Sequence, residues 1–209
     1  MPCVLEALLV LQLEVSVVLA RDVGGAVVEF PVAENQHANG ILDVSIAPAR
    51  IAPALADEAR RIARDLAIRL DYYGVLAVEF FVVRDGNGRD RLLINEIAPR
   101  PHNSGHHTLD ACSTSQFEQQ VRAVCGLPLG PTAQHSAAVM VNLLGDVWRD
   151  DALPAEIILR HPNVKLHLYG KREARPGRKM GHFTVLADHV DAALETANKI
   201  KAADRKSVV

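Results

Sequence analysis

Alternating apolar and polar positions predict a chain built mainly from short β-strands. The odd-numbered residues from Leu13 to Leu19 are apolar and fall on one face of an extended segment. Two turn segments, Asp22–Gly25 and Asp85–Gly88, each separate a pair of such runs and predict β-hairpins. The strands predicted in this way are Leu13–Arg21, Ala26–Pro31, Ile41–Ala47, Val75–Val83, Leu92–Ala98, Ala137–Leu144, Val164–Tyr169 and His182–Leu186.

Three segments carry a helical pattern instead: Pro53–Leu70, Ser115–Cys125 and Asp191–Lys201. The first has an arginine-rich face that we interpret as a solvated surface, and Pro53 suits its first turn. The side chains predicted to face inward are Leu55, Ala59, Ile62, Leu66 and Leu70 in the first helix, Phe117 and Val121 in the second, and Ala193, Leu194, Ala197 and Ile200 in the third.

A proline- and glycine-rich stretch, Leu127–Pro131, predicts a boundary between two domains. Residues 1–131 predict an α+β domain with an antiparallel sheet and helices, and residues 132–209 a small β-rich domain. Because the strand pattern starts close to Met1, we expect the chain to begin inside a folded sheet. No signal peptide is expected, since acidic residues interrupt the first apolar stretch.

Composition adds few functional constraints. Apolar residues make up 49% and charged residues 23%, as in a globular protein. The net charge of −2 gives no reason to expect nucleic acid or an anionic membrane as a partner. The three cysteines lie far apart without a Cys-x-x-Cys motif, so we expect reduced thiols and a cytoplasmic protein.

Two carboxylates lie in neighbouring predicted strands, where a charged side chain is costly. Glu79 interrupts one apolar run, and Glu96 follows Asn95 in the next. If the hairpin closes with Arg84 opposite Arg91, Glu79 lies opposite Glu96, with Cβ atoms about 5 Å apart. Such a pair favours a cation between the carboxylates, and Mg²⁺ is commonly held in this way. The alternatives are a register slip that separates the two, or a salt bridge to an arginine.

The loop after Leu92–Ala98 offers groups that suit a small anion. Prolines at positions 99 and 101 end regular strand pairing, because proline lacks the N–H that a ladder needs. A guanidinium, an imidazole and an amide then follow on a constrained backbone. The alternative is an ordinary strand–loop junction with a paired glutamate. The polar residues of this loop are Arg100, His102, Asn103, Ser104, His106 and His107.

Two further segments offer polar groups. His37 lies in Glu34–Gly40, which we predict to be a polar turn, and a lone histidine in a turn is usually solvated. Arg172–Lys179 is a basic loop in which a Pro-Gly step lets several arginines face one anion. A solvated turn is the alternative for this loop.

Two stretches taken together resemble one enzyme family. The sequence Ala-Val-Glu-Phe-Phe-Val around Glu79, followed by Leu-Ile-Asn-Glu-Ile-Ala-Pro-Arg-Pro-His-Asn-Ser-Gly-His, resembles the metal-binding hairpin and anion loop of the ATP-grasp enzymes. Gly170–His182 resembles the C-terminal signature of the 5-(carboxyamino)imidazole ribonucleotide synthases, the ATP-dependent component of phosphoribosylaminoimidazole carboxylase. The resemblance implies the C-terminal portion of an ATP-grasp fold followed by a small β-rich domain.

The resemblance also implies roles for individual positions. Glu79 and Glu96 would hold Mg²⁺ against the phosphates of ATP, and Lys171 and Arg178 would hold the 5′-phosphate of 5-aminoimidazole ribonucleotide. Bicarbonate, and the carboxyphosphate made from it, would be bound by Arg100, His102, Asn103 and Ser104. The positions matching ATP contacts are Glu6, Ala7, Leu8, Leu9, Glu14, His37, Asn95 and Glu96, with Glu14 accepting hydrogen bonds from the ribose.

The chemistry implied by the resemblance is one carboxylation step of de novo purine synthesis. ATP phosphorylates bicarbonate, and the carboxyl group is transferred to the amine of 5-aminoimidazole ribonucleotide. The full-length enzyme is implied to be a homodimer, with a mutase, separate or fused, acting on its product. One rival is another ATP-grasp ligase of the purine pathway, of the formate-dependent glycinamide ribonucleotide transformylase type.

One family feature has no counterpart in this sequence. The family covers the triphosphate of ATP with a glycine-rich loop that carries a lysine, and residues 1–209 contain no such loop. We therefore expect this chain to correspond to the C-terminal portion of a synthase and to be inactive by itself. The second rival follows from the same observation: a truncated copy that binds nucleotide without turnover.

Overall fold

The computed structural model describes residues 3, 5, 7–148 and 153–206, with side chains described through residue 203. The strands are β1 (Leu11–Arg21), β2 (Val27–Glu29), β3 (Ala33–Ala38), β4 (Ile41–Ala47), β5 (Gly74–Arg84), β6 (Asp90–Ala98), β7 (Ala137–Leu144), β8 (Val164–Leu168) and β9 (Lys179–Ala187). The helices are α1 (Pro53–Arg69), α2 (Thr108–Ala111), α3 (Gln116–Val124), α4 (Ala155–Leu159) and α5 (Val190–Lys206), with 3₁₀ turns at Asn103–Gly105 and Gly145–Val147. The mixed α+β class and the antiparallel sheet predicted from the sequence are confirmed.

Within these described residues, all nine strands join one antiparallel sheet in the order β6-β5-β1-β3-β4-β7-β9-β8, with β2 paired to the end of β1. The link between the two predicted domains is the β4–β7 pairing, from Val44 opposite Val141 to Ala47 opposite Ala138. The sheet therefore continues across the stretch in which the sequence predicts a boundary.

Helix α1 covers one face of the first half of the sheet. Its buried positions, Leu55, Ala59, Ala63 and Ala67, recur every four residues and pack on β1 and β5. Small alanine side chains let the helix lie close to the sheet. The predicted inward stripe was wrong at Leu70 alone: Ile62 and Leu66 are partly buried and pack against the same core as Leu55 and Ala59. Leu70 lies just past the helix end and is 56% exposed.

The other face of this half carries polar residues, and the loop after β6 folds over it. Two sequence predictions about the elements around this face were wrong. Glu34–Gly40 is mainly strand β3 rather than a turn, and the reversal is confined to Asn39 and Gly40, which both have positive φ. Helix α3 buries Gln116, Gln119 and Ala123, whereas the side chains predicted to face inward are exposed: Phe117 by 37% and Val121 by 56%.

The second half of the sheet has its own apolar core. Strands β4, β7 and β9 pack against α4 and α5 through side chains such as Ile46, Val139 and Phe183. Ala193, Ala197 and Ile200 of α5 are buried as predicted, and Leu194 is partly buried. Among the described helices, none combines the length and apolar character that a bilayer-spanning segment requires.

Candidate active site

The two carboxylates singled out in the sequence face each other on the polar side of the sheet. Glu79 of β5 is the pairing partner of Glu96 of β6, as predicted. The predicted closure of the hairpin was wrong, because Arg84 lies opposite Asp90 rather than Arg91. A one-residue bulge at Asn95 compensates for this difference, since Phe80 pairs with Ile94 while Glu79 pairs with Glu96. The bulge lets Asn95 Nδ2 donate to Glu79 Oε2 over 3.4 Å.

Within the described part of the chain, Glu79 forms no ion pair with a lysine or an arginine. Glu79 is only 8% exposed. Its burial raises the pKa of its carboxyl, and repulsion from Glu96 raises this pKa further. Among the described residues its ion-pair partner is His102, whose Nε2 lies 3.5 Å from Glu79 Oε1. Burial and the nearby Arg100 lower the pKa of His102 to about 4, so this imidazole is neutral at pH 7. The two alternative explanations for a carboxylate at position 79 are thus excluded among the described residues: the register does not separate Glu79 from Glu96, and no arginine forms a salt bridge with Glu79.

A divalent cation fits this arrangement. One ligand atom each from Glu79, Glu96 and His102 lie within 4.8 Å of one another. Carboxylate oxygens are the ligands that Mg²⁺ prefers, whereas an imidazole is a softer donor. We therefore assign the two carboxylates as the candidate metal ligands, with His102 beside them.

Ser104 fixes the loop after β6, residues 99–107, to the sheet. This segment is called the anion loop below, after its predicted role. The Oγ atom of Ser104 accepts from Ser16 Oγ at 2.8 Å and contacts His102 Nδ1 at 2.9 Å. Its carbonyl oxygen accepts from Ser45 Oγ at 3.0 Å and lies 3.0 Å from His107 Nδ1. The side chain is fully buried. The predicted contact of Ser104 with an anion stays a prediction, while its role in orienting His102 is evident from these bonds.

A buried glutamine holds the same loop from the opposite side. Gln116 Oε1 accepts from the backbone N–H of His102 at 2.8 Å, and its Nε2 donates to the carbonyl of His102 at 2.7 Å. The same Nε2 lies 3.0 Å from His106 Nδ1. A Cβ at Gly105 would lie 2.9 Å from Gln116 Oε1, so a side chain at that position would displace the amide that holds the loop. Sequence reasoning missed Gln116, because a glutamine in a helix resembles an exposed position.

Three side chains of the loop have hydrogen-bonding capacity to spare in the described part of the chain: Arg100, Asn103 and His107, whose Nε2 is buried without a partner. Arg100 is exposed, and its Nη1 donates to the carbonyl of Pro101 at 3.2 Å. The Oδ1 and Nδ2 atoms of Asn103 are buried and have no hydrogen-bond partner within the described part of the chain. Unpaired buried amide atoms are costly, which favours a ligand at this position.

Lys179, at the start of β9, was not singled out from the sequence. It is half-buried, and burial together with the nearby Arg100 lowers the pKa of its ammonium, while Glu79 acts in the opposite direction. Lys179 is therefore close enough to Arg100 and Glu79 for their charges to act on its ammonium. The only sequence signal for it was its position inside the basic motif.

The predicted substrate-phosphate residues flank Lys179. Lys171 is exposed, and its Nζ donates to the carbonyl of Lys179 at 2.6 Å. Arg178 is half-buried, and its Nη1 donates to the carbonyl of Glu173 at 3.1 Å. The structure thus brings both cations to the start of β9.

The predicted nucleotide contacts are only partly in view. Glu14 of β1 and His37 of β3 form an ion-pair contact of 3.0 Å on the same face of the sheet as Glu79. Ala7 and Leu8 are exposed and Leu9 is half-exposed, just before β1 begins. Glu6 lies outside the described residues. The roles of all these residues in ATP binding stay predictions.

A histidine cluster connects the anion loop to the second half of the sheet. His106 and His182 have ring centroids 5.1 Å apart, and His182 stacks on His167 at 4.6 Å. His167 Nε2 lies 2.8 Å from Asp110 Oδ2, and the hydroxyl of Tyr169 lies 2.9 Å from His182 Nδ1. The cluster fixes the anion loop relative to the strands that carry the basic loop. It was not predicted, because its members are distant in sequence.

Comparison with known proteins agrees with this geometry. Residues 1–117 match the ATP-grasp domain family, and residues 138–196 match the phosphoribosylaminoimidazole carboxylase C-terminal domain. Because the first match covers more than half of the chain, the chain belongs to the ATP-grasp family.

Within this family the chain is similar to the N5-carboxyaminoimidazole ribonucleotide synthases. It is 53% identical over 183 residues to the synthase of Brucella melitensis, covering 88% of this chain and 48% of that protein. The crystal structure of the Thermus thermophilus synthetase superposes with a TM-score of 0.85 at 43% identity, covering 94% of this chain and 52% of the other.

A third similar structure is the Aspergillus clavatus synthase in complex with ADP and 5-aminoimidazole ribonucleotide. Its TM-score is 0.87 at 32% identity, with 95% of this chain and 53% of that one covered. The chain therefore spans about half the length of the relatives it matches.

Proposed function

We propose that this chain forms the metal- and anion-binding portion of a 5-(carboxyamino)imidazole ribonucleotide synthase. The observation that carries the proposal is the pairing of Glu79 with Glu96 beside His102 of the anion loop, where the charges of Arg100 and Glu79 also act on Lys179. The similarity to the Brucella, Thermus and Aspergillus enzymes supports the same assignment.

The reaction has two steps. A bicarbonate oxygen attacks the γ-phosphorus of ATP, ADP leaves, and carboxyphosphate forms. The exocyclic amine of 5-aminoimidazole ribonucleotide then attacks the carbonyl carbon, the C–O bond to phosphate breaks, and the amine loses a proton. Catalysis of this kind consists mainly of positioning and charge stabilisation.

Each group of side chains has a part in these steps. Arg100 and Asn103 bind the bicarbonate oxygens, and His102 is oriented toward Glu79 by its bond to Ser104. We assign Glu14 and His37, which contact each other at 3.0 Å, to the ATP site, with Glu14 accepting from the ribose. Mg²⁺, held by Glu79 and Glu96, would supply positive charge to the phosphate oxygens.

The basic loop supplies the second anion site. Lys171 and Arg178 bind the 5′-phosphate of the ribonucleotide, and Lys179, whose carbonyl accepts from Lys171, is close enough to Arg100 for the two charges to interact. Lys179 is therefore positioned to stabilise the negative charge that passes from carboxyphosphate to the leaving phosphate.

The arrangement of the whole enzyme is also a proposal. We place the start of a small β-rich domain after Leu127–Pro131, in the gap between the two family matches. The full-length enzyme is proposed to be a homodimer whose product passes to a mutase. The formate-dependent transformylase activity remains the rival enzyme function, although the names of the similar proteins favour carboxylation.

A chimera tests the proposal. The half of the Brucella synthase that this chain does not match is joined in front of residues 1–209, and ADP release is measured. We expect stimulation by bicarbonate plus 5-aminoimidazole ribonucleotide, and none by formate plus glycinamide ribonucleotide. Stimulation by the second pair alone would establish the transformylase activity instead.

Two substitutions in the chimera separate its anion sites. Arg178→Ala should raise the KM for 5-aminoimidazole ribonucleotide about tenfold or more, while changing bicarbonate-dependent ATP hydrolysis less. Arg100→Ala should do the reverse. Equal loss of both activities in both variants would mean that the two loops form one site or are structural.

A further inference from the structure

Tyr169 contacts residues of both proposed anion sites. It directly follows β8, and its backbone N–H donates to the carbonyl of Met180 in β9 at 2.9 Å. Its side chain is half-buried and touches Lys171, which is assigned to the ribonucleotide phosphate, and His106 of the anion loop. The ring and the hydroxyl of this side chain make different contacts.

The ring faces the phosphate side. Lys171 Nζ lies 5.6 Å from the centroid of the Tyr169 ring, within the range of a cation–π interaction. The same ammonium donates to the carbonyl of Lys179 at 2.6 Å. Because an exposed lysine loses considerable rotamer freedom when it is ordered, two simultaneous contacts are needed to hold this ammonium at the start of β9.

The hydroxyl contacts the histidine cluster instead. It lies 2.9 Å from Nδ1 of His182, whose side chain is buried. Burial and the nearby His106 lower the pKa of His182 to about 3, so at pH 7 its imidazole is neutral, with one nitrogen donating and the other accepting. Burial also raises the pKa of Tyr169 to about 12, so the hydroxyl keeps its proton.

The surroundings of the other nitrogen indicate the direction of this hydrogen bond. His182 Nε2 is buried, and the residue opposite His182 in the β7–β9 ladder, on the same face of the sheet, is Asn142. Asn142 Nδ2 donates to the carbonyl of Leu42 at 2.7 Å, which leaves its buried Oδ1, an acceptor, without a partner in the described part of the chain. An N–H at Nε2 suits this face, and Nδ1 then accepts from the Tyr169 hydroxyl.

His182 in turn supports the anion loop. Its ring packs against His106 with centroids 5.1 Å apart, and His106 Nδ1 lies 3.0 Å from Gln116 Nε2. The amide of Gln116 also binds the backbone N–H and carbonyl of His102. The Tyr169 ring adds an edge-on contact to His106, at 6.1 Å between centroids. The hydroxyl is therefore connected to the proposed bicarbonate site through His182.

We propose that Tyr169 is a positioning residue that serves both anion sites through different parts of its side chain. The ring holds Lys171 for the phosphate of the ribonucleotide. The hydroxyl fixes His182, and through it the anion loop, for bicarbonate. These two roles rest on the proposed function, which assigns the two anions to these groups, whereas the hydrogen bond from Tyr169 to His182 does not depend on it.

Nitrogen NMR of isotope-labelled histidine side chains tests the hydrogen bond in the 209-residue chain itself. At pH 7, His182 should carry its proton on Nε2, and its Nδ1 resonance should shift in Tyr169→Phe, which lacks the donor. Tyr73→Phe is the matched control, because its hydroxyl bonds Asp71 at an exposed position, and it should leave His182 unchanged. A proton on Nδ1 in the unaltered chain, or an unchanged Nδ1 resonance in Tyr169→Phe, would overturn the proposal.

Kinetics of the chimera separate the two parts of the side chain. Tyr169→Phe keeps the ring, so the KM for bicarbonate should rise about threefold or more while the KM for 5-aminoimidazole ribonucleotide stays within about twofold. Tyr169→Leu also removes the cation–π contact and should raise both constants, each by about threefold.

A merely structural role would not divide the two substrates in this way. A rise in both constants in Tyr169→Phe, or in neither, would contradict the proposal. If Tyr169→Leu does not fold, the Tyr169→Phe comparison decides. An unaltered chimera without carboxylation would count against the proposed function, and the nitrogen NMR comparison then decides whether Tyr169 fixes His182.

Discussion

At the scale of single residues, Glu79 carries a cost that a bound cation relieves. Burial and the facing Glu96 raise its carboxyl pKa above the ordinary value of 4.5, so the folded chain binds this proton more tightly than the unfolded chain. The stability contributed by Glu79 is therefore fully present below pH 4.5 and is lost as the pH rises through the raised pKa.

The first prediction follows from that sign. Without a divalent cation, Glu79→Gln should raise the thermal midpoint at pH 7, by about 2–4 °C for each kcal/mol recovered. The difference between variant and wild type should shrink toward pH 4, where Glu79 is protonated. Melting curves from pH 4 to 7.5 measure it, and Mg²⁺ should stabilise the wild type more than the variant. A difference that does not depend on pH would contradict the argument.

The second prediction compares two glutamates on the same face of the sheet. Glu96→Gln should weaken Mg²⁺-dependent nucleotide binding by the chimera about tenfold or more, because it removes a candidate metal ligand. Glu14→Gln should change that metal dependence less, since Glu14 lies against His37 and outside the metal group. Calorimetry with and without Mg²⁺ measures both variants. Unchanged Mg²⁺ dependence in Glu96→Gln would rule out the metal assignment.

At the scale of elements, the β5–β6 hairpin shows what sequence could and could not predict. The apolar pattern and the short turn predicted that the two strands exist and that Glu79 and Glu96 face each other. The bulge at Asn95 did not, because one extra residue leaves no mark in the pattern of apolar and polar residues. The predicted register was one residue off at the turn, where Arg84 pairs with Asp90 rather than Arg91. The bulge at Asn95 shifts the register by one residue in the other direction, so Glu79 still pairs with Glu96.

Helix α3 shows the opposite case. Its apolar residues Phe117 and Val121 predicted an inward face, yet the buried positions are glutamines. Hydrogen bonds to loop backbone favour burial of Gln116 and Gln119, and these long-range partners are invisible in a local pattern. The same limit applies to β3, whose polar side chains predicted a turn while its backbone pairs with strands on both sides.

The third prediction tests this glutamine clamp. Gln116→Leu should destabilise the chain by about 2–4 kcal/mol, because the N–H and carbonyl of His102 lose their partners. Val121→Ala, on the exposed side of the same helix, should change stability by less than about 0.5 kcal/mol. Urea unfolding of both variants measures the difference. A larger loss in Val121→Ala than in Gln116→Leu would restore the orientation predicted from the sequence.

At the scale of the whole molecule, the sheet is more continuous than the sequence indicates. Proline and glycine at 127–131 predict a boundary, and the two family matches leave a gap around it. Strands β4 and β7 nevertheless pair across that gap. The anion loop and the basic loop are also joined, by the contacts of His106 with His182 and of His167 with Asp110. Contacts between residues 57 to 97 positions apart have no local sequence signal, which is why the boundary was predicted and the join was not.

The last prediction concerns turnover by the 209-residue chain alone. Phosphoryl transfer needs the triphosphate held on all sides, with its charge neutralised as it develops. The described residues include the candidate metal carboxylates and the proposed anion loop, but the sequence contains no glycine-rich loop with a lysine to cover the phosphates. We expect Mg²⁺ to stabilise the chain while ADP release with bicarbonate and 5-aminoimidazole ribonucleotide stays at background. The chimera, assayed at equal concentration, serves as the positive control, and its Arg100→Ala variant as the negative one. Turnover by the chain alone at a rate near that of the chimera would show that the covering loop is dispensable.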